Sequence, residues 1–414
     1  MATDSGGNFA TVALRRILGA VASGEATSRA EIARRTSLAR STVGQQVDDL
    51  LRRGIFAETE AGSSVRGRPP KVLTISPYAG TIAVADVDVN ATTVALADLS
   101  RTVVARSVVP VPVEDGPEAV LGAVTSRIRE LLGAHGRDGA PVRELVVGLP
   151  GPVDFQHGCA VRPPIMPGWD AYPVGAHLRE QFAAPVVVDN DVNLMALGEA
   201  ARDDVDAPLL ALKIGAGIGA GIITADGSVH RGADGAAGDI GHLRASGDSE
   251  VLCRCGKTGC VEAIASHSAV LRDLGFTGEE GPRLLSEAVA HGDPEALYRI
   301  RQAATEIGEV VAMLVHMYNP RTLVLGGPMS EQRDELLSGV RAVVYQRALP
   351  LATRRLTITT TEPDSAPGLA GGVALAARDI FSPEGIARLL ADDTGAPPYR
   401  SGEARGSSTG GTRT

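Results

Sequence analysis

The sequence predicts an α/β fold with a two-lobed body, preceded by a small all-α head. Three observations lead there. From about residue 78 onward, short apolar strands alternate with amphipathic helices, the pattern of a sheet covered by helices. A glycine-rich stretch, Gly215-Ala-Gly-Ile-Gly-Ala-Gly221, interrupts that alternation and starts a second set of elements. Charge is divided the same way. Residues 1–77 hold eleven Lys/Arg against seven Asp/Glu, a balance of +4, and the remainder stands at −13 within a net charge of −9. A basic head on an acidic body suggests that only the head meets nucleic acid. A length of 414 residues suits two or three domains. No run of about 18 apolar residues occurs, so no membrane span is expected. The polar start, Met1 to Gly7, lacks an apolar signal segment. With only four cysteines, these features point to a cytoplasmic protein.

Residues 9–77 read as a winged helix-turn-helix. Val12, Leu14, Ile17, Leu18 and Val21 have helical spacing, and Gly24 stops that helix. Thr27 or Ser28 can cap a second helix, with Glu31 in its first turn and an end near Thr36. After Ser37-Leu38-Ala39, a third helix runs from Arg40 to Arg53 with Val43, Val47, Leu50 and Leu51 facing inward. Arg40, Ser41, Thr42, Gln45 and Gln46 then lie at its exposed N-terminal part, where a recognition helix meets the major groove. A basic turn, Arg66-Gly-Arg68-Pro-Pro-Lys71, precedes the alternating strand Val72 to Ile75 and reads as a wing whose arginines can enter a minor groove. A protein-binding three-helix module with a solvated basic loop is the alternative.

Past Pro77, strands are expected at Ile82–Asp86, Thr93–Asp98 and Val103–Val109, then a helix over Pro117–Ala134 and a buried strand Leu145–Leu149. Helix Val174–Phe182, strand Val186–Val188 and helix Val192–Ala201 follow. This order indicates a ribonuclease-H-like lobe, and it resembles the actin and sugar-kinase superfamily. A second lobe begins near Leu209, with strand Leu209–Ile214, the glycine-rich loop and a short strand Ile222–Ile223. Its later elements are helices near Ser268–Leu274, Gly281–Ala290, Pro294–Asn319 and Glu331–Val344, and strands Thr322–Leu325 and Leu356–Thr361. The expected division is 78–200 plus a C-terminal helix within 368–382 for the first lobe, and 201–367 for the second. Residues 393–414, rich in Gly, Ser, Thr and Pro, read as a disordered tail.

Three of the four cysteines fall in Cys253-Arg-Cys255-Gly-Lys-Thr-Gly-Cys260-Val-Glu262, with Gly241-His242 eleven residues before the first. Three thiolates and one imidazole make a tetrahedral zinc set with no open position, hence a structural rather than a catalytic site. A reactive thiol pair or a disulfide is the alternative. Cys159 stands apart as an isolated thiol. Cys-x-Cys-Gly-x-x-Gly-Cys-x-Glu after Gly-x-x-Gly-His resembles the zinc segment of the ROK family, which contains sugar kinases and sugar-responsive repressors. Arg-Gly-Arg-Pro before the wing strand resembles its repressors, and the family's kinases lack such a head. The resemblance spans about residues 10–382.

That resemblance implies a sugar pocket formed by Asn190, Asp191, Asp239, His242 and Glu262. Asp191 would stand at the position of the kinase general base. The residues alone also allow a helix cap at Asp191 and solvated carboxylates elsewhere. The family's first phosphate loop, Asp-x-Gly-Gly-Thr, is matched here by Asp86-Val-Asp88-Val89-Asn90, without either glycine and with an added charge that would repel a nucleotide. The second, Gly-Thr-Gly, is matched by Gly215-Ala216-Gly217, without the hydroxyl. Asp239 stands where Glu is usual, and Ile165 where an Asn contacts sugar. The resemblance thus implies a repressor that binds operator DNA, responds to a sugar or sugar derivative, holds one zinc per chain and acts as a homodimer or homotetramer without kinase activity. Asp191 would be a vestigial base. An active sugar kinase that binds DNA, and a transcription factor with no small effector, are the rivals.

Overall fold

The computed structural model describes residues 5–60, 71–247 and 249–391. Arg66 and Arg68 of the expected wing tip and the expected tail at 393–414 lie outside the described residues. The head comprises α1 (Ser5–Ala22), α2 (Arg29–Thr36), α3 (Arg40–Arg52), β1 (Phe56–Glu60) and β2 (Lys71–Ile75). It is therefore not purely helical, because β1 and β2 pair antiparallel as the two strands of the wing. The start of α2 settles the choice of cap. Ser28 accepts from the Glu31 amide at 3.3 Å, and Glu31 accepts in return from the Thr27 amide at 2.9 Å.

The first lobe follows as β3 (Thr81–Val87), β4 (Thr92–Asp98), β5 (Val103–Val109), α4 (Pro117–Ala134), β6 (Val142–Leu149), β7 (Val153–Asp154), β8 (Cys159–Ala160), α5 (Val174–Phe182), β9 (Val186–Asn190) and α6 (Asp191–Ala200). Its five-stranded sheet runs β5-β4-β3-β6-β9, antiparallel through the hairpins and parallel from β3 to β9. That is the ribonuclease-H-like arrangement expected from the element order.

The second lobe contains β10 (Leu209–Ile214), β11 (Ile218–Ile223), α7 (Val261–Ala265), α8 (His267–Asp273), α9 (Gly281–Ala290), α10 (Pro294–Tyr318), β12 (Thr322–Gly326), α11 (Arg333–Arg347), α12 (Pro350–Thr353) and β13 (Thr357–Thr360). Its sheet runs β11-β10-β12-β13. The glycine-rich stretch is mostly strand: β11 pairs with β10 from Ile218 onward, leaving only Gly215–Gly217 as the turn. Glycine content suggested a longer loop, but a strand with small residues on one face can lie against α6, where Val192 and Ala196 come close to Gly219 and Gly221.

Two helices close the described chain, α13 (Pro367–Ile380) and α14 (Pro383–Ala391). The second was not expected. Its Ile386 and Leu389 are buried in the same apolar core as Leu14, Ile17 and Leu18 of α1 and Ile82 and Val84 of β3. Arg53, just past α3, donates to the Leu390 carbonyl at 2.8 Å. Head and first lobe are thus joined by one continuous core, through α14. On its other side α13 lies against α6 at backbone distance: a Cβ at Gly371 would run into the Leu194 carbonyl, and one at Gly198 into the Pro367 carbonyl.

Candidate functional site

A cleft opens between the two lobes at the N-terminus of α6. Asn190, Asp191, Asp239, His242 and Glu262, the five residues singled out from the sequence, all line it. Pro150, Pro152, Pro164 and Ile165 supply an apolar wall. Trp169 anchors that wall from behind; it is fully buried and donates its indole N–H to the Val113 carbonyl at 2.9 Å.

The helix cap is Asn190, not Asp191. Its Oδ1 accepts from the Val192 amide at 2.9 Å, while its Nδ2 donates to the Gly151 carbonyl at 2.7 Å. Those bonds fix the side chain and leave one N–H and one lone pair for a ligand. Asp191 is the first residue of α6 and is buried. Its Oδ1 accepts from the Val192 amide at 2.8 Å, and its Oδ2 from the Lys213 ammonium at 2.6 Å. Burial raises its pKa, and Lys213 opposes that shift.

Lys213 was not foreseen, although one lysine inside the apolar strand Leu209-Leu-Ala-Leu-Lys-Ile214 was a readable signal. It also reaches Asp88 Oδ2 at 3.1 Å. Burial works against its charge, but Asp191, Asp88 and Asp86 outweigh it and hold the ammonium well above its usual range. The repulsion expected from Asp88 is thereby corrected, because its charge is partly neutralised by Lys213. The loop at 86–90 has another obstacle to phosphate. The Asp88 amide donates to the Ala91 carbonyl at 2.9 Å and the Val89 amide to Asp88 Oδ1 at 2.6 Å, so both are already used. Asp86 lies behind them, its carboxyl pushed up to about 7 by burial.

A second ion pair lies outside the cleft, in a separate cavity beside α6 and α13. Buried Asp189 accepts from Arg231 Nη2 at 2.6 Å, and the Arg231 guanidinium stacks 4.0 Å from the Phe155 ring centroid. Neither residue stood out in the sequence.

On the far wall, Glu262 is the second residue of α7, and its amide donates to the Gly241 carbonyl at 2.9 Å. Its Oε2 accepts from the Ile218 amide at 3.3 Å. A Cβ at Gly217 would sit 2.6 Å from that carboxylate, so the second loop keeps its glycine to admit Glu262. Burial raises the Glu262 pKa, and His242 opposes the shift. Asp239 is exposed at the cleft.

His242, Cys253, Cys255 and Cys260 converge, their ligand atoms all within 4.8 Å of one another. Cys255 Sγ lies 3.7 Å from Cys260 Sγ, and Cys253 Sγ 3.7 Å from His242 Nδ1. Tetrahedral zinc with Zn–S near 2.3 Å requires sulfur separations of about 3.8 Å, so the four donors fit such an ion. No disulfide joins any of the four cysteines in this structure.

In the head, Val43, Val47 and Leu50 are buried and Leu51 is half-buried, which turns the opposite face of α3 outward. Arg40, Ser41 and Gln45 are exposed there, with Thr42 and Gln46 partly so. Arg29 of α2 pairs with Asp48 at 2.6 Å and braces α3 beside the wing. Among the described residues no helix is long and apolar enough to cross a membrane.

The family profile described as "ROK family" matches residues 82–379. The xylose repressor of Caldicellulosiruptor bescii is 26% identical over 372 residues, covering 86% of this chain and 92% of the relative. A glucokinase of Halalkalibacterium halodurans is 30% identical over 284 residues, covering 64% of this chain and 86% of the relative. A solved structure titled as a ROK family transcriptional regulator, homolog of the Escherichia coli MLC protein, superposes with a TM-score of 0.75 at 22% identity, over 92% of this chain and 99% of the other. The repressor's match extends over more of the chain than the body alone can supply, whereas the kinase's does not.

Proposed function

The chain belongs to the ROK family, and from that premise we propose that it is a transcriptional regulator, in the repressor mode, whose hold on operator DNA is changed by a sugar or sugar derivative. The observation that carries this is the single apolar core uniting α1, α14 and β3. A helix-turn-helix head tied in this way to the lobe that carries the cleft is suited to report on the cleft's occupancy. Relatives with repressor names that match beyond the body support the same reading.

In this reading the exposed part of α3 enters the major groove, with Arg40, Ser41, Thr42, Gln45 and Gln46 as its contacts and Arg66 and Arg68 in the wing. Paired half-sites call for a homodimer or homotetramer. Sugar hydroxyls are met by Asn190, Asp191, Asp239, Glu262 and the outer face of His242. Zinc on His242, Cys253, Cys255 and Cys260 would hold the segment between Gly241 and Glu262 in shape, and would supply no reacting group. The lobes follow the division 78–200 with 368–382, and 201–367. The protein works in the cytoplasm, where its DNA is.

Phosphoryl transfer is lost in this reading. A general base must take up a proton, and the Lys213 contact lowers the proton affinity that burial gives Asp191. A phosphate loop needs free amides, and those of Asp88 and Val89 are spent. The test has two arms. Operator sequences are selected from random duplex DNA, and binding is then measured across a sugar panel. Phosphate transfer from ATP is followed across the same panel. Sugar-modulated DNA binding without turnover is expected. Turnover that disappears in Asp191→Ala would make the chain a DNA-binding kinase instead, and undiminished operator binding by a chain lacking residues 1–77 would remove the head from its role.

A further inference from the structure

Among the described residues that line the cleft, Lys213 is the one lysine or arginine. Lys213 sits on β10, and both of its partners belong to the first lobe: Asp191 at the start of α6 and Asp88 just past β3. We propose that Lys213 is a positioning residue that ties the two lobes across the cleft and presents Asp191 to the effector as an anionic hydrogen-bond acceptor. The proposal rests on the sugar-responsive reading above and adds the group on which that response depends.

The charges around Asp191 define its problem. From β3 and the following turn come Asp86 and Asp88; from β10 comes Lys213; from its own cap comes neutral Asn190. Asp239, His242 and Glu262 line the opposite side of the same cleft. Asp191 therefore sits buried beside two carboxylates with one ammonium near it. Without that ammonium, burial and like charge both favour the protonated form. A protonated carboxyl donates one of its oxygens and loses acceptor capacity. With Lys213 in place, Oδ1 and Oδ2 each accept one internal bond, and each keeps a lone pair for a sugar hydroxyl. The same contact lowers the proton affinity that burial alone would give Asp191. One lysine thus supports the anionic form that accepts hydroxyl hydrogen bonds. It also makes cleft geometry depend on both lobes, because a shift of β10 relative to α6 would change the ion pair.

Lys213→Met and Lys213→Arg in the full chain test this, read in two ways. In the first, the sugar that releases operator from the wild type is titrated from about pH 5.5 to about pH 8.5. Lys213→Met should need at least about tenfold more sugar at the acid end and recover toward the alkaline end, as Asp191 regains its charge. Lys213→Arg should follow the wild type. Wild-type half-saturation in Lys213→Met at every pH, or a loss of equal size at every pH, would overturn the proposal. The second reading uses no sugar. Urea unfolding should show a Lys213→Met deficit that grows with pH, as Asp86, Asp88 and Asp191 ionise without their common partner. A deficit independent of pH would also overturn the proposal. If no sugar releases operator from the wild type while that deficit still grows with pH, the sugar-responsive reading falls and the tie between the lobes stands. Should Lys213→Met fail to fold, Lys213→Arg and Lys213→Gln carry the same comparison.

Discussion

Glu144 on β6 is 1% exposed, and no N–H or hydroxyl group donates to either of its carboxylate oxygens. Burial pushes its carboxyl up to about 8, Asp379 of α13 adds to the shift, and Arg388 of α14 only partly offsets it. An acid whose folded pKa is raised contributes stability at low pH that is lost as pH rises through the folded value. Against an ordinary value of 4.5, the loss amounts to on the order of 3 kcal/mol at pH 7 and about 5 kcal/mol above pH 8. Glutamine has the shape of the neutral form and does not titrate, so Glu144→Gln should escape the loss. The assay is urea unfolding of the wild type and Glu144→Gln at about pH 5, 7 and 8.5. The curves should nearly coincide at the acid end, where the expected gap is under about 1 kcal/mol, and separate steadily above it in favour of the variant. A gap that is the same at all three values, or a wild type that is more stable at the alkaline end, would refute the assignment. The site lies where β6, α13 and α14 meet, so the same variant also asks whether the junction between lobe and head tolerates stiffening.

Cys255→Ser should release the metal and loosen the second lobe, because ligand binding there is coupled to folding; about one zinc per wild-type chain by elemental analysis, and much less in the variant, is the expected result. Arg40→Ala and Gln45→Ala should each reduce discrimination between operator and scrambled duplex by about 1–3 kcal/mol, read by fluorescence anisotropy at fixed salt. Gly371→Ala should destabilise the chain and blunt the sugar response even though it lies outside the cleft, since its Cβ would push α13 off the Leu194 carbonyl of α6; a variant with wild-type unfolding and wild-type response would contradict the coupling.

Most of the fold was legible because its strands and helices have clear periods. Helices Pro117–Ala134, Val174–Phe182 and Gly281–Ala290 and strands Val103–Val109 and Leu209–Ile214 lie where apolar spacing put them. The cluster of one histidine and three cysteines was legible because its members are close in sequence. What escaped were pairings between residues far apart in the chain. Lys213 and Asp88 are separated by 125 residues, and Arg231 and Asp189 by 42. No local pattern encodes which acid meets which base. Helix α14 escaped for a related reason: its apolar face is defined by α1, more than three hundred residues earlier. The sequence also allowed a cap at Asp191; two adjacent residues can both cap, and only the backbone turn at Asn190 decides between them.

The cleft also shows how phosphate handling and sugar recognition can be separated within one scaffold. Groups facing phosphate would come from the turn after β3, where the Asp88 and Val89 amides are closed on themselves. In the proposed reading, groups facing sugar would come from the start of α6 and from the segment between Gly241 and Glu262, where the four possible metal ligands lie. Changes in the β3 turn reach the second set only through the contact of Asp88 with Lys213. The two sets meet at Asp191, through Lys213, and Asp191 opens the helix whose other end lies against the Pro367 carbonyl of α13. A ligand that draws Asp191 or Lys213 by a fraction of an ångström acts on α6 at its first residue. Because α6 and α13 meet backbone to backbone at Gly198 and Gly371, little side-chain slack lies between them at those points. Helix α13 leads into α14, and α14 shares the core of α1, so the displacement has a packed route to the DNA-facing head.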